Sequence, residues 1–471
     1  MRFLRASRRS RSVTIRRRFA LGGAASLVTG AAAVILAGTA VPAAAATGPV
    51  SPTPASGTPQ LTAYDGVTTD QVRQLVQCGS TMYAVGTFAT IKRGSTTYTR
   101  NNVFSFSATS PYQVTAWDPN VNGIVNTIGL SSDCTTAYIG GKFTSVHGTA
   151  ATNIAAIDTT TGVVNTGFAH SANGQVETIV RYGTHLLVGG YFGTINASSA
   201  HKYMASLNPT TGKDDGFVNL NISGNYHFCN SAGTKCSGSN ATRVYNQQLS
   251  NSGTLDLVEG DFTSVGGQSR QQIFMLDLSG ATAAVTPWTS TEFSENCWYS
   301  EPFYLQAASW SPDDSTVYVA TTGYRPYNLP GGSYPLSGLC DAAAAFPAAQ
   351  QAVSHKWINY TGCDSLYSTA ADAGAAYFGG HERWSQNPNG CDFAGPGAIS
   401  APGMEGLSPA TGALLRNAQG GSLYTRGRGR GADDMLVTNA GLWIASDNYN
   451  NANYCGGVSG HAGICLLPYP A

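Results

Sequence analysis

The sequence predicts an all-β chain folded as a β-propeller, with seven four-stranded blades around a central channel. Three observations carry this reading. A unit of four short β-like runs recurs along the chain after residue 60. The recurrences are spaced by roughly 50 to 70 residues, the length of a four-stranded sheet with its turns. Composition agrees: with 56 Gly, 23 Tyr and only 11 % charged residues, the chain suits a turn-rich β protein and lacks the helix formers of a bundle or coiled coil.

The first unit shows Tyr83-Ala84-Val85-Gly86-Thr87-Phe88, then Val103–Phe106 and Trp117. The second runs from Val125-Asn126-Thr127-Ile128 through Ala137-Tyr138-Ile139-Gly140-Gly141-Lys142-Phe143-Thr144-Ser145-Val146 to Ile154–Asp158 and Thr161-Gly162. The third repeats this as Val176-Glu177-Thr178-Ile179, Leu186–Phe192, Met204–Asn208 and Thr211-Gly212. A fourth holds Leu257–Val265, Phe274–Asp277 and Trp288. Val317–Thr322, Ala376–Gly380 and Leu442–Ser446 mark the fifth, sixth and seventh. The runs are β-branched or aromatic and about five residues long. Asn208–Gly212 and Ser408–Gly412 are tight-turn signals between the third and fourth runs. The Gly pair ending the second run is expected to let neighbouring backbones or side chains pack closely, with the following aromatic between adjacent sheets.

After residue 433 only three runs are present: Met435–Val437, Leu442–Ser446 and Ile464–Pro468. The run Gln60-Leu61-Thr62-Ala63-Tyr64 is expected to supply the missing strand and close the ring, leaving no long free sheet edge. An open β-solenoid is the competing arrangement, with shorter repeats and capping units. The chain divides into a leader, 1–46, a short linker, 47–58, and one propeller domain, 59–471.

The leader reads as an export signal. Eight of the 26 basic residues are Arg in residues 1–46, which contain no acid. An apolar stretch follows from Ala20 to Val41, and Ala43–Ala46 offers a small-residue cleavage site. Arg16-Arg17 with Phe19 resembles the twin-arginine motif, but Ile15 stands where Ser or Thr is usual; the general secretory route is the alternative. The remaining 18 basic and 26 acidic residues give the mature chain a net charge near −8, which disfavours nucleic acid as a partner. No later stretch has the roughly 18 to 20 apolar residues of a membrane helix, so no membrane association is expected after cleavage. A monomer is expected.

Ten cysteines fit an oxidising, extracellular destination: Cys78, Cys134, Cys229, Cys236, Cys297, Cys340, Cys363, Cys391, Cys455 and Cys465. Their spacing leaves connectivity open, and sequential pairing is the simplest arrangement. They form no paired CxxC units, so no zinc site is expected; Asn448–Asn453 lacks the Asp and Glu of a calcium loop, and no metal or cofactor is expected.

The GGxFTxV run, the apolar run ending in Asp or Asn and the TG turn resemble a family of secreted β-propeller repeat proteins common in actinobacteria. Gly379–Trp384, Pro396–Ile399, Ser408–Gly412 and Gly441–Ile444 are the most specific part of the likeness, which spans most of residues 60–470. The resemblance implies a propeller and a secreted or cell-surface location. It carries over no catalytic residues. The fifth unit departs from the pattern, with Ala320-Thr321 in place of the Gly pair.

Three groups of residues are candidates for binding. His381-Glu382-Arg383-Trp384 is the densest chemical cluster. It reads either as a subsite, with Trp stacking on a sugar, or as packing, with Trp384 in the aromatic slot and Arg383 paired to a carboxylate. Arg426, Arg428 and Arg430 alternate with Gly and could face an anion, although Asp433 and Asp434 follow at once. Trp298, Tyr299 and Tyr324 stand in insertions where exposed aromatics would cover sugar C–H surfaces. No HExxH, GxSxG or P-loop is present, and Asp313-Asp314 and Asp214-Asp215 read as turn residues rather than as a glycosidase acid pair. The sequence therefore reads as an extracellular binding module for a glycan, a cell-wall polymer or a protein. The alternative is a polysaccharide-acting hydrolase or lyase with its site at the channel mouth, and convergent acids there would favour it.

Overall fold

The computed structural model describes residues 48–225, 227–229, 236–239, 241–298, 301–323, 338–391, 393–427, 429, 431–449 and 452–470. They form an all-β chain, with one short 3-10 turn at Thr291–Ser294 as the only helical element among them. Seven antiparallel sheets follow one another along the sequence, each a meander. Their first strands are Gln71–Cys78, Ile124–Leu130, Val176–Tyr182, Arg243–Leu249, Tyr304–Trp310, Leu366–Ala371 and Asp434–Thr438. The fourth and fifth sheets have four full strands. In the first, second, third and sixth, the fourth strand shrinks to a single bridge: Phe106 with Val114, Ile157 with Val164, Leu207 with Asp214 and Leu407 with Leu414.

The turns before these bridges explain their economy. Asp158 Oδ1 accepts from the Thr160 and Thr161 N–H groups, and Asn208 Oδ1 does the same for Thr210 and Thr211. Gly162 and Gly212 then take φ of 76° and 68°, a left-handed backbone that glycine adopts without a Cβ clash.

The first strands surround a common channel, and side chains join each sheet to the next. Gln74 Oε1 accepts from Ile128 N–H at 2.7 Å, and Thr127 Oγ1 accepts from Ile179 N–H at 3.0 Å. Gln247 Nε2 donates to Thr178 Oγ1, the Tyr245 hydroxyl to Leu305 O, and Ser368 Oγ to Ala432 O; Ser309 and Thr369 join through their hydroxyls. Asp434 Oδ2 accepts from Leu75 N–H at 2.9 Å, which brings the seventh sheet back to the first. These are side-chain joins rather than ladders, so the seven sheets stay separate.

Apolar clusters fill the spaces between adjacent sheets. One joins Leu75, Phe104 and Phe106 of the first sheet to Trp443 and Ile464 of the seventh; another joins Tyr83 and Val85 of the first to Ile128 and Ile139 of the second. The Gly pair serves this packing, as its sequence position suggests. A Cβ on Gly140 would lie 2.4 Å from Val176 Cγ1, and one on Gly189 would lie 2.5 Å from Val244 Cγ1. The opening apolar residue of the following inner strand fills each hollow. Indoles pin neighbours together at the rim: Trp117, Trp288 and Trp357 donate to Asp158 O, Pro347 O and Pro409 O.

The expected strand at Gln60–Tyr64 behaves differently from the prediction. Gln60 and Leu61 pair with Lys92 and Ile91, in a separate small sheet formed by the hairpin of the first repeat. Val121 with Val146 and Ala172 with Ile195 make the equivalent contact in the second and third repeats. The segment before each inner strand thus anchors the hairpin of its own repeat. The outer edge of the seventh sheet takes one bond from this run, Leu61 N–H to Ala462 O at 2.8 Å, and otherwise meets residues further upstream. Ser51 N–H donates to Pro468 O at 2.7 Å and Ala55 N–H to Leu466 O at 2.9 Å.

Cysteine pairing is sequential for four bridges: Cys78–Cys134, Cys297–Cys340, Cys363–Cys391 and Cys455–Cys465. Cys229 and Cys236 are opposite each other in the backbone register of a short hairpin. No helix among the described residues is long and apolar enough to cross a membrane.

Candidate functional site

Six inner strands carry a bulge at the same place. Register slips occur between Val72 and Gln74, Val125 and Thr127, Val176 and Thr178, Val244 and Asn246, Leu305 and Ala307, and Leu366 and Ser368. Each slip leaves one residue out of the ladder, and a bulge re-aims the side chain it carries. The residues left out of the ladder are Arg73, Asn126, Glu177, Tyr245, Gln306 and Tyr367. Asp433 stands at the equivalent point just before the seventh inner strand. All seven line a cavity of about 190 Å³ at one end of the channel. The apolar residue preceding each is buried and locks the strand, so the ring sits on a rigid frame.

The ring is chemically mixed. Asn126 Nδ2 donates to Glu177 Oε2 at 2.9 Å. Burial pushes the Glu177 carboxyl up from its ordinary value, while the guanidinium groups of Arg243 and Arg73 pull it back. Arg243 also sits over the Tyr191 and Tyr245 rings at 4.9 and 5.1 Å and donates to the Tyr191 hydroxyl. Tyr304 lies in the same neighbourhood, its hydroxyl pushed up to about 12, by burial first and by Asp261 second. The site combines two ring faces, two amides, two acids and a guanidinium, all held from behind. Such a set can bracket hydroxyl groups with donors and acceptors while a ring covers C–H surface. Among the described residues no group of three or more His, Cys, Asp or Glu is arranged to hold a metal ion.

The residues singled out in the sequence are dispersed. His381 is beside this mouth, edge-on to the Tyr367 ring at 5.6 Å. Glu382 is fully buried and faces away from solvent. It, rather than Trp384, fills the slot that holds Phe88, Phe143, Phe192 and Phe262 in other sheets, which corrects both its expected role in binding and the expected place of Trp384. Arg383 makes the carboxylate pair anticipated for it, with Nε at 2.7 Å and Nη2 at 2.8 Å from Asp364, and it stacks on Trp384 at 4.5 Å. Trp384 itself belongs to a small hairpin with Ser400.

Arg426 does not face a ligand. It is 1 % exposed, and its guanidinium donates to the carbonyls of Ala452, Tyr454 and His461. It therefore braces the loop between the last two strands. Arg428, Arg430, Tyr299 and Tyr324 lie outside the described residues; Trp298 is described only through its backbone, in a short strand paired to Glu301–Pro302.

The ring was missed because its members share a position rather than a residue type. The signal is present as a short frame: an apolar residue, then a variable one, then a small or polar one, as in Val72-Arg73-Gln74, Val125-Asn126-Thr127 and Leu366-Tyr367-Ser368. Reading it requires knowing that the strand bulges there.

No family model matches the chain, and no curated relative matches it. The WD40 β-propeller domain of Doa1 aligns with 83 % of this chain and 94 % of its own at 12 % identity and a TM-score of 0.45. The computationally designed Ika8 protein covers 87 % and 98 % at 7 % identity and 0.43. Kuenenia stuttgartiensis hydrazine synthase covers 68 % and 75 % at 12 % identity and 0.38.

Proposed function

We propose that the protein is a secreted, seven-bladed β-propeller that binds an extracellular glycan or cell-wall polymer at the bulge-lined mouth of its channel. The observation that carries this reading is the ring of Arg73, Asn126, Glu177, Tyr245, Gln306, Tyr367 and Asp433 around one cavity. Seven separate sheets each deliver one side chain to the same place, and the seven are of four chemical kinds. Structural packing alone would favour repeated residues there. The near-balance of Arg73 against Glu177 and Asp433 suits a neutral, hydroxyl-rich ligand better than a polyanion. A cavity of about 190 Å³ accepts the edge of a sugar unit rather than a folded protein segment. In this reading residues 1–46 are removed on export, and the residues from Ser51 to Ala55 complete the seventh blade.

A second reading has a specific observation behind it. Glu177 and Asp433 are two acids in one mouth, and the Glu177 carboxyl is raised by burial, as a general acid requires. A polysaccharide hydrolase is the activity such a pair would support.

One experiment separates the two. The purified protein is incubated with insoluble polysaccharides and isolated bacterial cell walls, and both retained protein and released sugar are measured. Retention without release, lost in Tyr367→Ala and Asn126→Ala, supports the binding module. Release that disappears in Glu177→Gln while retention persists supports the hydrolase. Neither retention nor release on any polymer overturns both.

A further inference from the structure

The space between the fifth and sixth sheets holds an apolar cluster, with Tyr318, Leu366 and Phe378, and beside it a buried polar group. Asn359, Glu382, Ser385 and Glu405 are each at most 4 % exposed. Ser385 Oγ of the sixth repeat donates to Asn359 Oδ1 of the fifth at 3.3 Å. Glu405 enters from the third strand of the sixth sheet, opposite Phe378. It is close enough to Glu382 for its charge to raise that carboxyl, and Ser385 lies beside it.

All four carboxyl oxygens of Glu382 and Glu405 are buried without a hydrogen-bond partner, so the two carboxyls do not bond to each other either. Arg383 does not serve them: it grips Asp364, with Nε at 2.7 Å. His381 is turned to the Tyr367 ring. Protonation removes the charge but not the deficit, because a neutral carboxyl still carries a donor and an acceptor that need partners. A cation between the two would satisfy all four oxygens and cancel both charges. Asp256 and Glu259 are also fully buried with both oxygens unpartnered. They lie three apart on one strand, Leu255–Asp261, and an odd spacing sends side chains to opposite faces of a sheet. Those two cannot share an ion, whereas Glu382 and Glu405 can.

We propose that Glu382 and Glu405 form an internal calcium site between the fifth and sixth sheets. Two negative charges call for a divalent cation, and donors that are all oxygen call for a hard one. Two bidentate carboxylates supply four of the roughly six to eight oxygens that calcium takes, and neutral oxygens such as Ser385 Oγ add to them. The pair is smaller than the groups of three or more His, Cys, Asp or Glu that are absent among the described residues. In the ion-free protein both carboxyls keep their protons, so one bound calcium ion displaces up to two protons. Neither glutamate lines the channel cavities, and the site does not rest on the glycan reading.

The test starts from the purified protein, stripped with EDTA and dialysed. It is titrated calorimetrically with calcium chloride and magnesium chloride at pH 7.5, in two buffers of different ionisation enthalpy. Calcium is expected to bind at one ion per chain, with a dissociation constant of about 1 mM or tighter, and magnesium at least about tenfold more weakly. The buffer dependence should show proton release, and saturating calcium should raise the urea midpoint. The double variant Glu382→Gln, Glu405→Gln should lose the heat, the proton release and the stabilisation together. If it does not fold, Glu382→Phe with Glu405→Phe takes its place and the same losses are expected. Absence of saturable calcium binding overturns the proposal, as does magnesium binding as tight as calcium. Binding that persists in either folded double variant overturns it too. So does calcium bound without proton release, which would place the ion on carboxylates that are already ionised.

Discussion

Glu382 and Glu405 occupy, in the sixth sheet, the two positions that Phe262 and Phe274 hold in the fourth. Glu382 lies two residues past Gly380, as Phe262 lies two past Gly260. Glu405 is opposite Phe378, as Phe274 is opposite Val258. In the fourth sheet the rings meet edge to face, 5.3 Å apart. In the sixth, both carboxyls are fully buried. Burial raises both, and the Glu405 charge raises Glu382 further; Glu405 is pushed up to about 8.

Stability should therefore fall as the solution becomes more alkaline. Below about pH 4.5 both carboxyls are protonated folded or unfolded, and the pair costs little. Between that point and about pH 8, the unfolded chain ionises while the folded chain keeps its protons, so unfolding gains. The urea midpoint should drop across this range. The double variant Glu382→Gln, Glu405→Gln should flatten the profile, and Glu382→Phe with Glu405→Phe should raise the midpoint at pH 7.5. A wild-type profile already flat between pH 5 and 8 would contradict the assignment.

Arg426→Met should destabilise the protein by about 3 kcal/mol, because it leaves buried carbonyls without donors. The effect should appear in chemical unfolding, with retention on polysaccharide unchanged at protein concentrations where the variant is folded. Loss of retention in the folded variant would return Arg426 to the ligand.

The bridges should not be equal in worth. Cys78–Cys134 closes 56 residues and links the first sheet to the second, whereas Cys455–Cys465 closes 10 within the seventh. Chain-entropy estimates give about 4 and about 3 kcal/mol respectively. Paired Cys→Ala variants, compared by urea unfolding, should show the larger loss for Cys78 and Cys134. The reverse order would mean that the shorter bridge acts through the native sheet rather than the unfolded chain.

Arg243→Met should raise the Glu177 carboxyl further, since it removes the main positive neighbour and leaves the burial. Carboxyl carbon shifts followed through a pH titration read this directly. An unmoved Glu177 titration would place Arg243 too far away to matter, and its role would then be confined to stacking on Tyr191 and Tyr245.

The fold was legible because it is periodic. The Gly pair, the TG turns and the aromatic slots repeat at sites where one geometry admits few residue types. The site was not legible for the converse reason. Arg73, Tyr245 and Gln306 have nothing in common except a register slip, which leaves no fixed residue behind. Glu382 misled for a related reason: a carboxylate in a phenylalanine slot looks like surface chemistry until its burial is known. Arg426 looked like an anion trap because alternating Arg and Gly reveals charge but hides the loop carbonyls that satisfy it.

The contact of Ser51 and Ala55 with Pro468 and Leu466 has a bearing on how the protein is made. An emerging chain offers its earliest described residues first, yet their hydrogen-bonding partners are among the last to leave the ribosome. Ser51 and Ala55 must wait for the seventh sheet before these two bonds can form. These contacts thus form late, and a chain interrupted before Leu466 lacks both of them.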